Sequence, residues 1–178
     1  VVAVLRDAGA IVLAKTNTPE FGAGANTRNE VFGPTLNPFD HELTCAGSSG
    51  GSAVALACGM VPLATGSDLA GSLRTPAAYC GIVGFRPTPG LIPTETRGHG
   101  WSPLSVDGPM ARNVADAALL LSAMVGHDPR DPLSLGVEGE PFRALDTVAL
   151  GRLTVAFTED LGFAPVDGDT RLLIGHQR

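Results

Sequence analysis

The sequence predicts an α/β domain on three observations: short apolar runs alternate with helix-like segments, most of those segments open on a capping residue, and the composition is globular. Of the 178 residues, 44% are apolar and 17% charged. Such a chain can bury one ordinary core and is neither disordered nor fibrous.

The elements follow in order. VVAVLRDAG sets Val1, Leu5 and Ala8 on one side with Gly9 at the C′ position, reading as the back half of an amphipathic helix. AIVLAK, residues 10 to 15, is a β-branched apolar run after a glycine and reads as a buried strand. Residues 16 to 47 are rich in Asn, Pro, Thr and Gly without a sustained period, and read as a long ordered loop, a form that in compact domains usually carries function. A helix is expected to begin near Ser52 as N-cap and to run through AVALACG to Gly59. VPLAT reads as a strand and GSDLAGS as a loop. TPAAYC reads as a helix with Thr75 as N-cap and Pro76 at its first position. IVGFRPT reads as another buried strand. The clearest helix is Asn113 to Val125, with Asn113 as cap, Asp116 where a capping box places an acid, and Val114, Ala118, Leu121 and Val125 on one face.

Residues 128 to 150 hold three prolines and mixed charge and read as a connector; Leu153, Val155 and Phe157 then alternate as in a strand, and DGDTRLLIGHQR opens a last helix. The alternation of strand and helix implies some parallel pairing. The expected organisation is one partial domain over 1 to 178: a core at 10 to 126, the connector, and a strand with the start of a helix over 151 to 178. Both ends fall inside predicted elements, so a fragment is expected.

Composition excludes several classes. A formal net charge of -6 and the absence of any Lys/Arg cluster leave no basic surface for a phosphate backbone, so nucleic acid is not expected as a direct partner. The longest apolar run, Ser52 to Ala64, is too short for a bilayer and is broken by Gly59 and Pro62. Cys45, Cys58 and Cys80 are odd in number and lie apart, without CxxC or Cys/His grouping; they read as reduced, mostly buried thiols of a cytoplasmic protein, not as a disulfide or zinc framework.

The chemistry begins with the basic residues. There are eleven arginines and a single lysine, Lys15, at the end of the apolar run AIVLA. Arginine serves surface charge equally well, but only lysine gives up its proton when burial disfavours the charged form. A solvated lysine at a strand end is the ordinary alternative. Gly47-Ser48-Ser49-Gly50-Gly51 satisfies G-x-S-x-G, which would make Ser49 the nucleophile of an esterase elbow. That reading requires a histidine from His99, His127 or His176, since His41 precedes the serine, and each of these sits in an undistinguished context. The same Gly/Ser loop before a helix would also suit a non-catalytic anion-binding module, although the Lys-bearing phosphate-loop pattern is absent.

Taken together, the segments are more specific. AGSSGGSAVALACGMVPLATGSDLAGSLRTPAAYCGIVGFRPT closely resembles the signature block of the amidase signature family; LAKTNTPEFG resembles the segment carrying that family's lysine, and PLSVDGPMARNVADAALLL the region after the block. The resemblance covers nearly the whole chain. It implies part of a mixed β-sheet core flanked by helices. It also implies amide hydrolysis without metal or cofactor: Ser72 as nucleophile, Ser48 as bridging serine after a cis peptide, and Lys15 as terminal base. The interval from Ser48 to Ser72 (72 − 48 = 24 residues) fits the family pattern. Backbone N–H groups of Leu69, Ala70, Gly71 and Ser72 are implied as the oxyanion hole, with Gly47, Ser49, Asp68 and Arg74 in support.

Two departures from the pattern stand out. Ala70 replaces the usual glycine, at a cost of about 1 kcal/mol if that position needs positive φ. Ser67 replaces a threonine and keeps the hydroxyl. The implied partner is a small amide substrate, and a homo-oligomer is compatible with the reading. Within the family the alternative is the glutamine-hydrolysing component of a tRNA-dependent amidotransferase, from which Trp101-Ser102-Pro103 in RGHGWSPLSVDGPMAR departs.

Overall fold

A computed structural model describes residues 1–95, 99–145, 151 and 153–175. They fall into two compact units, Val1–Leu145 and Asp146–Arg178.

The first unit opens with α1 (Val2–Asp7). Val1 and Leu5 pack on a buried cluster of Ile92, Leu120, Leu121, Met124 and Val125, as the predicted face requires, whereas Ala8 is exposed. The run 10–15 is not the buried strand expected. It pairs with no described strand, and Ile11 is 84% exposed. A strand exists only by its hydrogen-bonded neighbour, and none of the described elements supplies one here.

The loop over 16–47 is ordered by side-chain amides and hydroxyls, not by apolar burial. It holds a small hairpin, β1 (Arg28–Asn29) against β2 (Gly33–Pro34), whose turn is tied by the Asn29 carboxamide oxygen accepting from the Val31 and Phe32 amides at 3.0 and 2.8 Å. Asn17 donates to Thr35 Oγ1 at 3.0 Å, and Asn37 donates to the carbonyls of Thr44 and Tyr79 at 3.1 and 3.0 Å. Such residues offer the backbone partners outside helix and sheet, which is why this loop holds one shape.

Helix α2 spans Gly50–Ala57, with Ser49 rather than Ser52 at its N-cap. Ser52 lies inside the helix, where its hydroxyl donates to the Thr65 carbonyl at 2.9 Å and bonds Thr16 Oγ1 at 2.9 Å. Strand β3 (Leu63–Asp68) runs three residues beyond VPLAT, so Asp68 is its last residue and the next loop begins at Leu69. Helix α3 (Arg74–Cys80) starts one residue before Thr75 and ends on left-handed Gly81. IVGFRPT contributes only the two-residue β4 (Val83–Gly84).

Strand β5 (Val106–Ala111) has no counterpart in the predicted elements, yet it is the centre of the sheet, whose order is β3-β5-β4. It pairs antiparallel with β3 from Leu63↔Ala111 to Asp68↔Val106 and antiparallel with β4. Pro109 is tolerated there because its carbonyl accepts from Phe85 N on the β4 side, where the ladder has already stopped at Gly84. The α/β architecture is as expected; the parallel pairing is not, since every described strand pair is antiparallel.

Helix α4 (Val114–Met124) keeps its predicted cap, with the Asn113 side chain accepting from Asp116 N at 2.8 Å. Its buried face is Ala117, Leu120, Leu121 and Met124, one step round from the predicted stripe, and Val114 is exposed. The main core joins Cys45, Ala53, Leu56, Leu73, Ala77, Cys80 and Met110, placing α2 and α3 against the sheet. The predicted connector is folded as far as Leu145: buried Asp131 accepts from the Thr94 and Leu133 amides at 2.8 and 3.0 Å, and Phe142 packs on the α4 cluster.

In the second unit, α5 (Gly168–Gly175) forms where DGDTRLLIG predicts, and Asp167 accepts from Thr170 N at 2.9 Å at its start. Arg171 pairs with Glu159 and Asp160. Residues 153–157 are exposed and are not a strand, contrary to the alternation of Leu153, Val155 and Phe157. His176 lies outside the described residues.

Candidate active site

The Gly/Ser loop turns sharply between buried Cys45 and α2. Ala46 has φ 59°, the peptide between Gly47 and Ser48 is cis, and the Ala46 carbonyl accepts from Thr27 N and Oγ1 at 3.1 and 2.9 Å. Two glycines follow because other atoms already fill the space of a side chain. A Cβ on Gly50 would overlap Thr27 Oγ1 and lie 2.7 Å from Cys45 Sγ, and one on Gly51 would strike the Asn17 backbone. Either change would overpack a closed site.

The three serines of this region have different surroundings. Ser49 N donates to the Ser72 carbonyl at 3.3 Å, tying the Gly/Ser loop to the loop after β3. The Ser49 hydroxyl donates to the Ser67 carbonyl and accepts from the Ser67 amide, both at 3.2 Å, so it braces the end of β3. Ser48 is buried, at 7% exposure, and Ser72 is half-buried. Neither of their hydroxyls has a hydrogen-bond partner among the described residues. A hydroxyl already bonded in both directions is a structural group, whereas one held without a partner is available.

Lys15 is exposed. Its neighbour Thr16 bonds Ser52 on the first turn of α2, and Asn17 lies against Gly51, so the Lys15 segment runs beside the Gly/Ser loop. The structure thus brings together the chain segments of Lys15, Ser48 and Ser72. No hydrogen bond joins the three side chains among the described residues.

Asp68 organises the loop that carries Ser72. Its carboxylate is fully buried and accepts from Gly71 N at 2.8 Å, Leu73 N at 3.1 Å, Arg74 Nε and Nη2 at 3.0 and 3.1 Å, and Arg86 Nη1 at 2.9 Å. Burial pushes the carboxyl up, but the Arg74 hydrogen bonds, the two amides and the Arg74 charge outweigh it and hold Asp68 well below the usual carboxylate range. The expected supporting positions Asp68 and Arg74 therefore form one ion pair inside the loop. The Gly71 N–H donates to Asp68, so it is not spare for an oxyanion; the amides of Leu69, Ala70 and Ser72 have no acceptor among the described residues. Gly71 has φ 115°, while Ala70 is not among the described positive-φ residues, so the alanine carries no backbone cost.

Arg86 is the residue that sequence reasoning missed. Its signals are a charged side chain directly after the apolar run IVGF and its place in the block that resembles the family signature, which has a lysine there. Cys45 and Cys80 are buried; burial raises the Cys45 thiol, and burial with the nearby Cys45 and Cys58 sulfurs pushes Cys80 up to about 11, so both stay protonated core groups. Cys58 is exposed. His41, His99 and His127 are also exposed.

Comparison with known proteins gives consistent results. A family model described as Amidase matches residues 1–174. A glutamyl-tRNA(Gln) amidotransferase subunit of Deinococcus radiodurans is 50% identical over 131 residues, covering 74% of this chain and 27% of that protein. Its Thermobifida fusca namesake is 52% identical over 131 residues, covering 74% and 26%. Among solved structures, a bacterial aryl acylamidase of the amidase signature family aligns with TM-score 0.73 at 40% identity, covering 76% of this chain and 28% of that one. A glutamyl-tRNA(Gln) amidotransferase subunit of Thermotoga maritima aligns with TM-score 0.68 at 38% identity, covering 77% and 30%. The chain therefore spans about a quarter of the length of these curated relatives.

Proposed function

Since this chain belongs to the amidase family, we propose that the intact protein carrying it hydrolyses carboxylic amides through an acyl-enzyme on Ser72. The observation that carries the reading is the bond from Ser49 N to the Ser72 carbonyl, which holds the Gly/Ser loop against the Asp68-anchored loop with both candidate hydroxyls unoccupied.

In the proposed sequence of steps, Lys15 in its neutral form takes the Ser48 proton as Ser48 takes that of Ser72. Ser72 Oγ then bonds to the amide carbon, and the carbonyl oxygen becomes an oxyanion facing the amides of Leu69, Ala70 and Ser72. Collapse breaks the C–N bond, the proton returns through Ser48 to the leaving ammonia or amine, and water cleaves the ester by the same relay. The route uses no metal or cofactor.

Lys15→Arg is therefore expected to lose amide hydrolysis as fully as Lys15→Ala, by about 10²- to 10⁴-fold in kcat. Steady-state ammonia release measures it, and an arginine variant near parental turnover would remove the base role.

The identity to proteins named as glutamyl-tRNA(Gln) amidotransferase subunits, 50% and 52%, favours a second reading in which the amide is glutamine and partner subunits are required, despite Trp101-Ser102-Pro103. Ammonia release from glutamine only when candidate partner subunits are added would select it; release from simple amides by the protein alone would select the first. The Ser49 esterase reading is not supported, because the Ser49 hydroxyl braces Ser67 and no described histidine contacts it. No described helix is long and apolar enough to cross a membrane.

A further inference from the structure

We propose that Arg86 is a positioning residue for Ser72, stapling the corner from which the nucleophile loop departs; this rests on the reading of Ser72 as nucleophile. Arg86 Nη1 donates both to the Asp68 main-chain carbonyl and, at 2.9 Å, to Asp68 Oδ1, while Nη2 donates to the Leu104 carbonyl at 2.9 Å. Asp68 ends β3, and Leu104 lies just before β5, whose first residue Val106 is the register partner of Asp68. One guanidinium therefore fixes the end of β3, the approach to β5 and the carboxylate to which Gly71 N and Leu73 N are bound.

Arg86 and Arg74 are not equivalent. The Arg74 side chain is 56% exposed and rides on the loop side, at the first residue of α3, whereas that of Arg86 is 22% exposed and reaches in from the segment just after β4. Arg74 moves with the loop; Arg86 ties the loop to the framework. The charge balance matters as well. A lone buried carboxylate would repel a substrate oxyanion forming beside the next residues, but one carboxylate with two guanidiniums leaves the cluster net positive. A planar fork reaches two acceptors in fixed directions, and a lysine ammonium on a flexible stem does not reproduce that span.

The test uses the intact protein with a fluorophosphonate probe, the adduct mapped by peptide mass spectrometry, folding checked by circular dichroism, and kcat and KM measured in parallel. Arg86→Met is expected to slow labelling of Ser72 and lower kcat by about ten- to a hundredfold, since small misplacements of a reacting group cost that much. KM is expected to stay within about twofold, because the loss falls on the transition state. Arg86→Lys is expected to lie between the two, keeping the charge and losing the bridge. A folded Arg86→Met chain that labels Ser72 at the parental rate overturns the proposal while leaving the Ser72 reading intact. An absence of label on Ser72 in the parental protein overturns both. Where Arg86→Met fails to fold, Arg86→Lys decides alone, and a parental labelling rate overturns the proposal.

Discussion

Ser72→Ala is expected to abolish fluorophosphonate labelling and to reduce amide hydrolysis on the order of 10⁴-fold or more, the scale of removing an acyl-transfer nucleophile. Ser72 is half-buried, and its main chain is fixed at several points: its carbonyl accepts from Ser49 N, and the amides on either side of it, Gly71 and Leu73, are bound by Asp68. The loop should keep its shape when only Oγ is removed. A circular dichroism spectrum and melting temperature close to the parental values would show that the chemistry alone was lost. Ser49→Ala supplies the contrast. It removes the brace on Ser67 and is expected to cost about 1 kcal/mol of stability, the ordinary contribution of a hydrogen bond, while the label stays on Ser72. An adduct on Ser49 in the parental protein would invert the assignment.

Asp68→Asn is expected to destabilise the protein by about 3–5 kcal/mol, as breaking one side of a buried ion pair does. Asparagine nearly preserves the shape, but it removes the charge opposing Arg74 and Arg86 and can turn its own donors toward theirs. The pH dependence gives a second signature. Asp68 is held below the ordinary carboxylate value in the folded chain, so between the two values the unfolded chain binds more protons and stability rises with pH. The contribution is complete well above the unfolded value of about 3.9 and is lost as pH falls through it toward the lower folded value. Urea unfolding followed from neutral pH into the acid range should therefore show a steep loss for the parental protein and a flatter one for Asp68→Asn. Equal slopes would mean that Asp68 is not the group that the arginines hold ionised.

The sequence made the family more legible than the sheet. A local signal survives where the cap itself forms: Asn113 caps α4 as its spacing from Asp116 demands, whereas Thr75 lies inside α3, whose N-cap position is Leu73. Signals that depend on distant partners do not. AIVLAK has the composition of a strand, but composition cannot state whether a neighbour is present. Val106–Ala111 contains Gly108 and Pro109, which argue against a central strand until the short ladder of β4 is known. Ser52 has the chemistry of a cap because hydroxyls cap helices; its real partner, the Thr65 carbonyl, lies on another element. Asp68 and Arg86 both stand in the signature-like block, whereas the bond between them is a tertiary fact that their spacing does not state.

The sheet order also sets when this site can come into existence as the chain folds. β3 and β5 are neighbours in space, but α3, β4 and the following loop lie between them in the chain, so their ladder closes a long loop. Helices relax on the order of a microsecond from local contacts, while pairing of distant strands waits for the entropy of loop closure to be offset. Helices α2, α3 and α4 can therefore form early without any of the chemistry. The corner at Asp68↔Val106 forms only with the late, non-local step. On the reading of Ser72 as nucleophile, labelling of Ser72 during refolding is thus expected to return with sheet closure and not with helix content.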